Sequence, residues 1–321
     1  MIDDYYFVFK GAFIVRLPPF NPYIALVIGV IAVSTSAIFV KLASDAPAGI
    51  IAFYRLFLSV IMMLPIILLK YKDELKSVSR KDWLLATFSG VFLALHFILW
   101  FESLNYTSVA SSVVLVTLQP VFAFIGTYFF FGERFSPGAV IAMIITLIGS
   151  FIISMGDFQI SGLALLGDIL ALLGAVTVTG YFLLGQQLRR SLSLMTYTFI
   201  VYGISSFTLL IYNLIIGASF IGYSANVWFW FLALAIVPTF LGHTLFNWAL
   251  KWLSTSTISM AIVFEPIGAS ILAYLILGEM VTYSQWLGGA IVIVGLFLFI
   301  MSTTAKRKVT ISHRHIHPKE D

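Results

Sequence analysis

Ten stretches of about twenty residues run almost free of charge along this chain, and an apolar helix of that length crosses a hydrocarbon core about 30 Å thick. They fall near residues 23–43, 48–70, 83–103, 107–131, 136–155, 163–185, 194–216, 228–250, 255–277 and 283–302. No tracts of about ten alternating residues accompany them, which argues against a barrel. In lipid each backbone group must be satisfied within its own segment, and that leaves helices. With 60% apolar and 10% charged residues, and a mean hydropathy of +1.04, the chain is not a soluble domain. The expected fold is an all-α integral membrane protein of ten transmembrane helices, neighbours lying antiparallel across short connections.

One stretch occurs twice. Ser112 to Arg134 and Ile258 to Met280 each form an apolar helix with a central proline and a closing Gly-Glu. Gln119-Pro120 and Glu265-Pro266 stand 146 residues apart, as do Gly132-Glu133 and Gly278-Glu279. Carried across Leu104 to Met155, that offset gives 12 identities in 52 ungapped pairs. The chain divides into an N-terminal segment (1–22), two five-helix repeats (23–155 and 163–302) and a basic tail (303–321). Five is odd, so the second repeat enters the membrane from the opposite side. Two inverted repeats are a common plan of secondary transporters, with the site near the bilayer midplane where they meet.

Orientation follows from Lys and Arg. With both termini in the cytoplasm of a cell-membrane protein, 16 of the 18 fall in inner segments, and Lys41 and Arg55 fall within spans. Residues 1–22 carry Asp3, Asp4, Pro18 and Pro19 and lack a clean apolar core, so no cleavable signal is expected. The polar tail carries His313, His315 and His317 in alternation and reads as disordered and solvated, with metal binding as the alternative. The absence of cysteine excludes disulfides, thiol nucleophiles and Cys-ligated metal.

Ten spans as five plus five, the repeated proline and Gly-Glu landmarks, and L-G-D-I-L-A-L-L-G-A opening the sixth span resemble the EamA-type drug/metabolite transporter superfamily. The resemblance covers about residues 23 to 302. It implies a secondary carrier of small polar or amphipathic metabolites, often acting in efflux, and leaves the substrate open.

Several intramembrane residues are candidates for binding substrate or a coupling ion. Pro120 and Pro266 each remove a helix hydrogen bond and crowd the carbonyl four residues back, at Val116 and Ile262. Gln119 and Glu265 should then depart from helical geometry, kinking both helices at mid-depth. Glu265 is the sharpest candidate, because a carboxylate near the bilayer centre needs a cavity or a partner. It suits a proton carrier or a substrate anchor; the bland alternative is a protonated structural side chain. His96 and His243 lie mid-span, sharing helix faces with Trp100 and Asn247, and either titrates near neutral pH or makes an interhelical hydrogen bond. Arg55 reads as an interfacial tie or as a counter-ion for a substrate carboxylate near the outer vestibule. Lys41 can snorkel, and Glu102 can pair with either cation. Glu133 and Glu279 suit end-capping or gating, and Asp168 meets a helix N-terminus. Trp100 and Trp248 are candidate cavity walls, and Gly149 and Gly295 a packing pair.

Neither histidine has a partner at metal-site spacing, so no metal or cofactor is expected. The expected partners are a small-molecule substrate, the lipid bilayer and coupling protons, without nucleic acid; the oligomeric state stays open. The leading function is alternating-access export of metabolites such as amino acids or related amphipathic compounds. A receptor or scaffold would need no inverted duplication. An intramembrane hydrolase would need paired membrane aspartates or a G-x-S-G serine; Gly203-Ile204-Ser205-Ser206 has serine in place of the second glycine. A channel would need rings of charge or carbonyls.

Overall fold

The computed structural model describes residues 6–7, 15–16, 18–154, 163–278, 280 and 282–316. A short antiparallel pairing of Tyr6–Phe7 with Val15–Arg16 precedes the helices. The membrane segments are α1 (Pro22–Leu42), α2 (Ala48–Ser77), α3 (Arg80–Ser103), α4 in two pieces (Val109–Val116 and Gln119–Phe131) and α5 (Pro137–Ser154). In the second half come α6 (Leu163–Leu188), α7 (Leu194–Ile215), α8 (Ala225–Ala249), α9, again in two pieces (Thr255–Ile262 and Glu265–Leu277), and α10 (Tyr283–Ile316). Among the described residues, nine helices are long and apolar enough to cross a membrane, and Pro137–Ile153 is a shorter apolar one.

Polar side chains set where these helices start. The hydroxyls of Ser79, Ser108, Ser193 and Ser224 each accept a backbone N–H three residues on, satisfying a donor the first turn cannot. Gly132 (φ +65°) and Gly278 (φ +72°) end α4 and α9 in the left-handed conformation that suits glycine. That is the physical content of the repeated glycine landmark.

The halves meet as an inverted pair. α4 and α9 cross, the first piece of each packing on the second piece of the other, so they run antiparallel. α5 and α10 are also antiparallel: Ser136 bonds Ser302 (2.6 Å) near one end, and Gly149 abuts Gly288 and Val292 nearer the other. Asn213 of α7 donates to the carbonyl of Gly49 at the start of α2 (2.8 Å). Exchanging the halves turns the α1–α8 contact into α6–α3, α2–α8 into α7–α3 and α1–α9 into α6–α4, all of which occur. The principal pairings therefore map onto themselves, as two inverted repeats require. Gly149 and Gly295 each permit close backbone approach, the second against Thr146. Their partners lie on the facing helix, so the two glycines do not form one mutual contact.

Two sequence expectations change. Each helix is interrupted by a turn just upstream of its proline. The turns fall at Thr117-Leu118 and Val263-Phe264, while Gln119 and Glu265 head the second pieces. Proline is at home in a first turn, where its missing N–H would lack a partner anyway, so the break moves upstream of it. The backbone of the tail also continues as helix to Ile316. Extending an existing helix needs no new nucleus, and residues such as Ala305, Lys306 and Arg307 favour the extension. His317 and Glu279 lie outside the described residues.

Candidate functional site

A small cavity of about 30 Å³ lies where α1, α3, α4, α6, α8 and α9 converge. Its wall carries the inversion down to single residues. Val33 and Val178, Ser36 and Phe182, His96 and His243, Trp100 and Phe246, Val116 and Ile262, and Gln119 and Glu265 all line it. Each pair is separated by 145 to 147 residues of sequence; Thr117 completes the lining. Of the residues singled out from sequence, Glu265, Gln119, His96, His243 and Trp100 sit on this wall.

The helix breaks put the polar groups there. At each break the first helix of one half holds the fourth helix of the other. Ser34 Oγ of α1 lies 3.5 Å from the Glu265 carbonyl, and Thr179 Oγ1 of α6 lies 3.5 Å from the Gln119 carbonyl. Gly268 lets this happen, since a side chain there would meet Ser34. The Gln119 amide nitrogen is buried without a partner. Glu265, 6% exposed, presents its carboxyl to the same space.

The histidines differ. His96 Nδ1 pairs with the carbonyl of Gly174 at 3.0 Å, and its ring stacks on Trp100 with centroids 5.6 Å apart. His243 Nδ1 has no partner, and the two imidazoles stand 6.4 Å apart. A π-helical run, Ala235–His243 with Pro238 inside it, delivers His243 and Thr239; such wide turns re-aim side chains at functional sites.

Arg55 is fully buried, about two turns into α2, and so is not in an outer vestibule. Nε donates to Thr239 Oγ1 and Nη1 to Ser36 Oγ, each at 2.8 Å. The guanidinium lies 4.2 Å from the Phe97 ring centroid. Nη2 has no partner, and neither hydrogen-bond acceptor is a carboxylate. Because Ser36 lines the cavity, Arg55 stands one residue behind its wall.

Asn247 lies off the cavity. Its amide donates to Tyr181 OH (2.5 Å) and contacts Tyr202 OH (3.4 Å), and Tyr202 bonds Thr244 (3.0 Å). Arg189, just beyond α6, donates to the carbonyls of Asn247 (3.0 Å) and Leu192. Burial lowers the Arg189 pKa to about 10, which leaves it charged at physiological pH. Trp248 stacks on Phe20 with centroids 4.2 Å apart and does not wall the cavity. Lys41 donates to the Leu104 carbonyl (2.5 Å), while Glu102 takes bonds from Asn105 and Tyr106. A larger groove of about 360 Å³ opens sideways between α1, α9 and α10. Its walls are almost wholly apolar, so it offers nothing to orient a polar solute.

Sequence reasoning missed Ser36, Phe182 and Phe246. Adding the 146-residue offset to Ser36 and Trp100 leads directly to the last two.

Residues 21–155 and 165–301 each match the model of the EamA-like transporter family. An uncharacterized transporter of Archaeoglobus fulgidus is 25% identical over 274 residues, spanning 85% of this chain and 94% of the relative. The Bacillus subtilis transporter YxxF is 28% identical over 243 residues, 75% of this chain and 76% of its own length. A crystal structure superposes with a TM-score of 0.71 over 88% of this chain and 98% of its own, at 15% identity; that likeness is one of fold.

Proposed function

Because this chain belongs to the EamA-like transporter family, and is therefore a multi-pass membrane transporter and not an enzyme, we propose that it is a secondary active carrier. It exports small metabolites such as amino acids or related amphipathic compounds by alternating access, with both termini in the cytoplasm. The observation that carries this reading is the pseudo-two-fold cavity with one carboxyl group, Glu265, in its wall. A space of about 30 Å³ holds a water and not a metabolite. A centre lined equivalently by two inverted halves is what a carrier needs to present one site to each side in turn. Glu265 carries the coupling proton or holds a cationic group, Gln119 and the histidines supply neutral polar contacts, and Trp100, Phe182 and Phe246 supply aromatic walls.

The test is uptake into sealed vesicles holding the purified protein. Amino acids, nucleosides and organic cations are screened as competitors with and without an imposed proton gradient. Gradient-dependent accumulation of one class supports the carrier. Solute flux that never exceeds equilibration under any gradient would refute secondary active transport.

A further inference from the structure

Two carboxylates outside the cavity tie the halves together, one at each membrane face. On the face bearing the basic loops, Glu133 follows the glycine that ends α4. Its Oε1 accepts from Ser254 Oγ (3.0 Å) and its Oε2 from Ser256 Oγ (2.9 Å). Both serines belong to the start of α9, in the other half. On the opposite face Asp168 of α6 does the converse. Its Oδ1 accepts from Thr107 Oγ1 and Ser111 Oγ, each at 3.0 Å, and these residues flank the start of α4 in the first half.

The two ties share a design. Each carboxylate belongs to one half and grips two hydroxyls at the first turn of the other half's broken helix. α4 and α9 are equivalent under the inversion, so the same structural position is held at both faces, by non-equivalent acids. We propose that Glu133 and Asp168 are opposing latches, each holding its own face closed, so that release of one gives the central cavity access to that side.

The contacts around each tie fit a closure that can part. Gln186 Oε1 of α6 accepts the Thr255 N–H (2.7 Å) beside the Glu133 latch. At the Asp168 latch, a side chain on Gly167 would stand 3.0 Å from the Thr107 backbone, so the helices touch there without bulk between them. Asp168 Oδ2 is buried and unpartnered. Its second oxygen makes no bond that would hold the closure further, whereas Glu133 uses both. Hydrogen bonds from hydroxyls to a carboxylate exchange with bonds to water at modest net cost, so such ties are reversible.

This inference rests on alternating access at the central cavity, and its test reads accessibility and not transport. The chain has no cysteine, so Thr117→Cys places one thiol on the cavity wall. A membrane-impermeant thiosulfonate applied to each side of oriented vesicles reports which face opens. Glu133→Gln should raise labelling from the basic face and lower it from the other. Asp168→Asn should do the reverse. The expected shift is about tenfold, the size produced by losing a charge-assisted hydrogen bond. The Ser254→Ala/Ser256→Ala and Thr107→Val/Ser111→Ala double variants remove the same contacts from the hydroxyl side, and should reproduce the two shifts if a carboxylate variant fails to reach the membrane. Unchanged labelling, or a shift in the same direction for both acids, would overturn the latches. A parent Thr117→Cys protein that labels from one face under all conditions would refute alternating access instead.

Discussion

Arg55 meets the cavity of Glu265 through Ser36: Nη1 donates to Ser36 Oγ at 2.8 Å, and Ser36 and Glu265 line the same space. The cation behind the cavity wall and the carboxyl group in it thus lie close, with no hydrogen bond between them. Both also lack a charged equivalent in the other half, where Val201 and Gln119 stand. The charge asymmetry of a symmetric cavity resides in these two residues.

Glu265→Gln gives the second half the neutral group that Gln119 gives the first. Pseudo-symmetry and folding should survive, and substrate exchange should persist. Gradient-driven net transport and its pH dependence should be lost, because a proton biases an equilibrium only by binding the two states differently. Net flux and exchange, each followed from about pH 5.5 to about pH 8.5, separate the roles. Weakened substrate binding at every pH would identify a substrate anchor, and wild-type behaviour in both assays would leave Glu265 a structural acid.

Arg55→Met tests whether the guanidinium is kept for stability. A buried charge is costly unless it is paired; Arg55 bonds only neutral hydroxyls, and one of its nitrogens is unpartnered, so an apolar side chain of similar length removes a desolvated charge. The melting temperature in detergent should hold or rise, while transport falls. Arg55→Lys should not restore transport, since a lysine cannot reproduce both the planar stacking on Phe97 and the two-armed donation to Ser36 and Thr239. Strong destabilisation of Arg55→Met with full specific activity in the folded fraction would reverse the assignment.

Gly149→Val addresses the α5–α10 seam. A Cβ there would lie 2.7 Å from the Val292 nitrogen and 2.8 Å from the Gly288 carbonyl. Backbone cannot give way as a side-chain tip can, so overpacking should cost about 1–3 kcal/mol. Thermal unfolding should register the loss while substrate affinity in the folded protein is retained. An unchanged melting temperature would mean that the seam is looser than its contacts imply.

Orientation is open to labelling of single cysteines with an impermeant reagent. Thiols placed at 104–106 and in 217–227 should react from outside intact cells, and a thiol in the C-terminal tail should not. External reaction of the tail would invert the proposed topology.

Much of this architecture is legible in the sequence because lipid leaves few solutions. Apolar length marks the spans, and the 146-residue offset marks the repeat. The same offset also links twelve of the thirteen cavity-lining residues to within a residue, although serine and phenylalanine do not advertise equivalence at positions 36 and 182. Other features depend on what meets a side chain in space. Arg55 looks interfacial from its place near a helix start, yet Thr239, Ser36 and Phe97 draw it into the bundle from three other helices. Asn247 shares a helix face with His243, but the hydroxyls of Tyr181 and Tyr202 turn it away from the cavity. Local rules misplace the α4 and α9 breaks by one to two residues because proline's effect depends on which side of it the helix restarts.

An assembly of two identical inverted halves would have to place every central side chain twice. Here the halves are joined in one chain, and the pair at 119 and 265 has diverged to an amide and an acid. One molecule can thus hold a single ionisable carboxyl at the centre, without a second negative charge facing it across the cavity. Any cycle that exchanges protons at this position is limited to one per turnover.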